Sequence, residues 1–187
     1  MLRAYYQGEV DYFCAVYAII NSIRLAAVKY KRFSFNEGCA FYQHMIQYLL
    51  DTNQFTEVLY HGTSLKLMDE LLGVAQKYLR EKYNLQLFHK RPLKYRDFPV
   101  KDVGAYIGNY VSRPGNSCIF RLYNKDVLDH WSVVKKKVFS SRLKLFDSYF
   151  YPGIDVNRAT WECYSNDGLC HLVREGLIFI KVKPLAK

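Results

Sequence analysis

The sequence predicts an α+β chain in which a helical first half packs against an antiparallel sheet built from the second half. Three observations lead there. Apolar residues recur at helical spacing through about the first 85 positions. Short runs rich in β-branched and aromatic residues replace them after about position 115. The gaps between those runs carry Asn, Asp, Ser, Pro and Gly. A length of 187 residues suits one domain, residues 1–187, with a helical half over about 1–110 and a stranded half over about 111–187.

Taken in order, the first helix follows Cys14, with Ala15, Ile19, Ile20, Ile23, Ala26 and Ala27 on one face and Asn21 and Arg24 turned to a more polar side. The second starts near Asn36, the expected N-cap, and carries the stripe Phe41, Met45, Ile46, Leu49 and Leu50. The third runs from Thr63 or Ser64 to about Lys82 over Leu65, Met68, Leu71, Leu72, Ala75 and Leu79. From Leu85 to Val100 the chain is basic and holds Pro92 and Pro99, which fits a short strand followed by a loop. A short helix over Val100–Tyr110 and a turn at Arg113-Pro114-Gly115-Asn116 come next. Strand-like runs then follow at Ser117–Tyr123, His130–Phe139, Leu143–Ser148 and Leu177–Val182.

Composition narrows the function classes. Half of the residues are apolar and 17% are aromatic, which excludes a disordered linker. No apolar run reaches the roughly 18 residues of a membrane span. The residues after Met1 do not read as a cleaved secretory signal, so the expected location is cytoplasmic, or outside by a route without one. Lys plus Arg number 27 against 17 Asp plus Glu, a net charge of +10. Such a charge permits nucleic acid or an acidic protein as partner, but no nucleic-acid motif accompanies it, so nucleic acid is not favoured. The denser basic stretch Lys77–Lys101, with Tyr106, Tyr110, Tyr149 and Tyr151, is the surface expected to meet an acidic partner. Five cysteines, an odd number, point to reduced thiols and not a disulfide framework. Cys163, Cys170 and His171 match no common zinc spacing, so neither a metal nor another cofactor is expected.

Three places in the chain combine into chemistry. Cys14 opens an apolar helix, where the macrodipole and the free backbone N–H groups favour a thiolate. His130 opens a strand and Asp147 closes the next, so pairing of the two strands through a turn near Ser140-Ser141 brings base and orienting acid together. Gln7 stands just upstream of the thiol. Its amide, with the Cys14 backbone N–H, can supply the two donors that an oxyanion requires. Taken singly, each residue has a plainer role: a buried thiol, a strand-end histidine, a turn acid. Two rival arrangements, one with His61 as base and one with Cys170, His171 and Asp167, lack a matching acid or an oxyanion donor.

Glutamine, helix-capping cysteine, strand-opening histidine and an acid on the next strand, in that order, resemble the papain-like cysteine peptidases. The separation of His130 from Asp147 is similar to that in the peptidase domains of bacteriocin-exporting transporters and related bacterial effector peptidases. The resemblance implies a papain-like fold. It also implies a nucleophile at Cys14, a general base at His130, an orienting acid at Asp147 and an oxyanion donor at Gln7. Gln7 stands one residue further from the cysteine than is usual in that family, and Ala15 takes the place of the customary glycine. A thioester formed at Cys14 serves peptide hydrolysis, glutamine deamidation and acyl transfer alike, so all three stay open on a protein or peptide substrate. A catalytically silent basic binding module is the alternative from another class.

Overall fold

The computed structural model describes residues 2–7, 12–93, 98–124, 128–137, 142–149, 151–156, 159–161 and 170–185. The elements run α1 (Cys14–Ala27), α2 (Phe35–Asp51), α3 (Phe55–His61), α4 (Leu65–Tyr83), β1 (Leu85–Lys90), α5 (Val100–Val111), β2 (Asn116–Asn124), β3 (Leu128–Lys137), β4 (Arg142–Leu145), β5 (Gly153–Asp155), β6 (Ala159–Trp161) and β7 (Cys170–Pro184). The class is α+β, with helices first and a largely antiparallel sheet after them. Strand order is β1-β7-β2-β3-β4-β5, and β6 adds to β7 in parallel.

The sheet is covered on both faces. Ile119, Trp131, Val133, Ile178 and Ile180 meet α1, α2 and α4 on one side. Phe120, Val134, Leu145, Leu177 and Phe179 meet Val103 and Ile107 of α5 on the other. Strands buried on both faces read as continuous apolar runs, which is why Leu177–Val182 looked like a whole strand. It is the C-terminal part of β7. The expected helix over Val100–Tyr110 is α5, but it packs on the sheet's far face and away from the other helices.

Local signals explain the boundaries. Ser34, not Asn36, caps α2: its hydroxyl accepts the Glu37 N–H at 3.2 Å while the Glu37 carboxylate accepts the Ser34 N–H at 2.7 Å. Ser-x-x-Glu satisfies two orphan donors reciprocally, an advantage that Asn36 lacks. Ser64 caps α4 through the Leu67 N–H, and Asn84 closes that helix in the left-handed region. The helix α3 was not foreseen, because seven residues are too few to show a period.

The central helix departs most from expectation. Asn21 and Arg24, expected on a polar side, are buried along with the rest of α1. An N-terminal strap, residues 2–7, covers them. The Asn21 amide accepts the Tyr5 N–H at 2.8 Å and donates to the Tyr5 carbonyl at 3.0 Å, while the Arg24 guanidinium lies 3.5 Å from the Tyr5 ring centroid. On the sheet side the hydroxyls of Ser22 and Ser117 meet at 2.7 Å. The strap crosses to the stranded half, where the Gln7 N–H donates to the Ser148 carbonyl at 3.0 Å.

Replacing Asn21 with Ala leaves a backbone donor and acceptor of Tyr5 without their partner, at a cost of about 1–3 kcal/mol. Urea unfolding should show that loss for Asn21→Ala. Limited proteolysis should then cut residues 2–7 before any helix; an unchanged digestion pattern would mean that other contacts hold the strap.

Candidate active site

The β3–β4 register builds the site. Val134 pairs with Leu145, and the Phe146 N–H reaches the Val133 carbonyl at 2.8 Å, which sets Asp147 opposite Ser132 and diagonal to His130. Residues two apart on a strand share a face, so both side chains reach one carboxylate. The His130 ring Nε2 lies 2.9 Å from Asp147 Oδ2, and the Ser132 hydroxyl donates to the same oxygen. The backbone N–H groups of Tyr149 and Tyr151 donate to Oδ1 at 2.6 and 3.3 Å. The rings of Tyr149 and Tyr151 flank the imidazole, with centroids 6.2 and 5.6 Å away.

Cys14 is the first residue of α1, preceded by Phe13, whose side chain has no acceptor to cap the helix. The Cys14 thiol donates to the Tyr12 carbonyl at 3.9 Å, and Cys14 interacts electrostatically with the His130 imidazole of the stranded half. Cys14 is 3% exposed.

Electrostatics couple the groups. Burial works to lower the His130 pKa, but the hydrogen bonds and charges of Asp147 and Cys14 outweigh it and push the ring up to about 9. At neutral pH His130 therefore holds its proton. Burial works to raise the Asp147 pKa, yet His130, the Ser132 hydroxyl and the Tyr149 N–H hold it below the usual carboxylate value.

Of the predicted residues, His130 and Asp147 are in hydrogen-bond contact, and Cys14 interacts electrostatically with His130. The turn at Ser140-Ser141 lies outside the described residues. Gln7 sits beside them, its Oε1 3.4 Å from the Ser148 hydroxyl, which is the donor. Sequence reasoning missed Ser132, although its position two residues after His130 on a strand carries the signal. It also missed Arg121, which grips Asp129 through two hydrogen bonds at 2.7 and 2.5 Å and interacts electrostatically with Cys14. Arg121 pairs with Trp131 across β2 and β3, a relation visible only once the register is known.

The other cysteines and histidines stand apart. Cys118 is fully buried, and burial pushes its pKa well above the ordinary value; Cys39 is half-buried, and both are free thiols. His61 is exposed at the end of α3. Cys163, Asp167 and the side chains of Cys170 and His171 lie outside the described residues. Tyr106 and Tyr110 are half-buried, their rings packed on Phe179 with centroids 5.2 and 3.8 Å away. Among the described residues, no cluster of three or more His, Cys, Asp or Glu is placed to hold a metal ion. No helix among them is long and apolar enough to cross a membrane.

No family model matches the chain, and no curated protein does. Among solved structures, the chain shows a distant likeness to the Pseudomonas avirulence protein AvrPphB. The likeness has a TM-score of 0.30 at 11% identity, over 90% of this chain and 89% of that one.

The raised His130 pKa has a consequence for stability. Folded His130 binds a proton that the unfolded chain releases near 6.5, so its stabilisation is fully present below that pH and is lost as pH rises through about 9. The amount is on the order of 3 kcal/mol. Urea unfolding at about pH 6 and pH 10 should show the stability gap between the native chain and His130→Ala closing across that range. A constant gap would contradict the coupling.

Proposed function

We propose that the chain is a cysteine-dependent hydrolase of papain-like fold that acts on a protein or peptide through a thioester at Cys14. The supporting observation is the buried pair in which Asp147 holds the His130 ring, with Cys14 interacting electrostatically with that ring. Cys14 attacks the substrate carbonyl as a thiolate. The carbonyl π electrons move onto oxygen, and the C–S bond forms. Nε2 is held by Asp147, so His130 passes its Nδ1 proton to the leaving amine as the C–N bond breaks. The now neutral imidazole takes a proton from water as the water oxygen attacks the thioester carbonyl; the C–S bond breaks, the acid leaves and the thiolate–imidazolium pair is restored. Asp147 stays ionised and keeps the ring oriented, as the orienting acid of a triad does. The oxyanion is met by the first-turn N–H of α1 and by the Gln7 amide nitrogen, whose oxygen is already taken by Ser148.

The burial of Cys14 supports a second reading on the same chemistry, the deamidation of a glutamine side chain or its transfer to another amine, since a side chain is slimmer than a polypeptide segment. The two readings share every residue and differ in product.

Labelled casein supplies both peptide bonds and glutamines for the test. Hydrolysis predicts shorter chains. Deamidation predicts ammonia and a gain of about one mass unit per event on uncut chains. Cys14→Ala should reduce either by at least about a thousandfold, and Gln7→Ala by about a hundredfold, both with unchanged melting temperatures. Full turnover by Cys14→Ala would rule out the thioester route.

A further inference from the structure

The groove on the sheet side of Asp147 carries charge that the relay does not use. It has a volume of about 250 Å³ and lies between the N-terminal strap, β3, β4 and the segment that follows β4. Arg3, Lys135 and Lys144 line it together with Tyr6, Phe146 and Tyr151. None of these three cations forms an ion pair with a carboxylate among the described residues. Asp147 lies in the wall, but its two oxygens are occupied by His130, Ser132 and the N–H groups of Tyr149 and Tyr151.

A β-bulge creates this concentration. The β3–β4 register shifts between Val134 and Lys136, so Lys135 is the extra residue. Without it, the strict alternation of a strand would keep consecutive lysines on opposite faces. A bulge breaks that alternation and re-aims one side chain, a device common beside active sites. Here the re-aimed ammonium lies 5.5 Å from the Phe146 ring centroid. Across the ladder, Lys136 stands directly opposite Lys144. Like charges in register oppose one another, and a bound anion relieves that repulsion.

We propose that this groove binds acidic side chains, Asp or Glu, of a polypeptide that passes the His130–Asp147 pair. The role as a substrate subsite rests on the hydrolase reading above; the binding itself does not. Charge fixes the chemistry, and size fixes the scale, since about 250 Å³ is below the usual volume of a small-molecule pocket and suits one or two side chains.

Fluorescence anisotropy on the Cys14→Ala chain tests this with a fluorescein-labelled hexaglutamate peptide and a hexaglutamine control. Cys14 is absent from every arm, so the result is independent of whether it is the nucleophile. Hexaglutamate should bind and hexaglutamine should not, and raising salt from about 50 to 300 mM should weaken the binding. Adding Lys135→Ala and Lys144→Ala should reduce affinity at least about tenfold. Adding Lys77→Ala and Lys82→Ala on the exposed face of α4 removes the same charge and should change affinity less than about twofold. Where the groove pair lowers the melting temperature, the surface variant Lys144→Gln repeats the measurement. Equal losses from both lysine pairs, or no hexaglutamate binding, would overturn the proposal. Tighter binding of a thymidine oligonucleotide, abolished by the groove pair, would overturn it in favour of nucleic acid.

Discussion

The Asp147 carboxylate is the point on which the site depends. It is 5% exposed, and an ion so placed costs several kcal/mol unless its lone pairs are met. His130, Ser132 and the N–H groups of Tyr149 and Tyr151 meet them. Those donors converge only when β3 and β4 hold their register and the chain turns sharply after β4. Folding the second half and assembling the relay are thus one event. The strap fastens to the same turn through Gln7 and Ser148, so the helical half shares the constraint.

A consequence is that one thiol can differ sharply from another at equal burial. Cys118 lies in apolar surroundings that disfavour its charged form. Cys14 is nearly as buried, yet it interacts electrostatically with His130 and Arg121. Burial alone therefore says little about reactivity; what each thiol faces decides it.

Much of this was legible in the sequence. The stripe of α4 and its start at Ser64 are local signals, whereas the α2 cap is Ser34 and not the expected Asn36. Cys14 is legible as the first residue of α1, while His130 is the third residue of β3 and Asp147 lies two residues past β4, so their pairing depends on the strand register. What escaped is set by distant contacts. Asn21 and Arg24 read as polar-side residues because nothing near them announces that Tyr5 will cover them. Ser132 and Lys135 act through a cross-strand register, and the Lys135 bulge leaves no mark in periodicity. The sequence points to the dense basic stretch Lys77–Lys101 as the charged surface, whereas the meeting of Lys135, Lys144 and Arg3 at one groove depends on the bulge and the strap.

The central claim is that the relay turns a buried thiol into a nucleophile. Peptide mapping after brief treatment with iodoacetamide at neutral pH measures this directly, by comparing Cys14 with Cys118 and Cys39 in the native chain and in His130→Ala. The account predicts that Cys14 is alkylated first, and that its rate falls at least about tenfold without His130. Slow alkylation of Cys14 at the rate of Cys118, unaffected by His130→Ala, would contradict it.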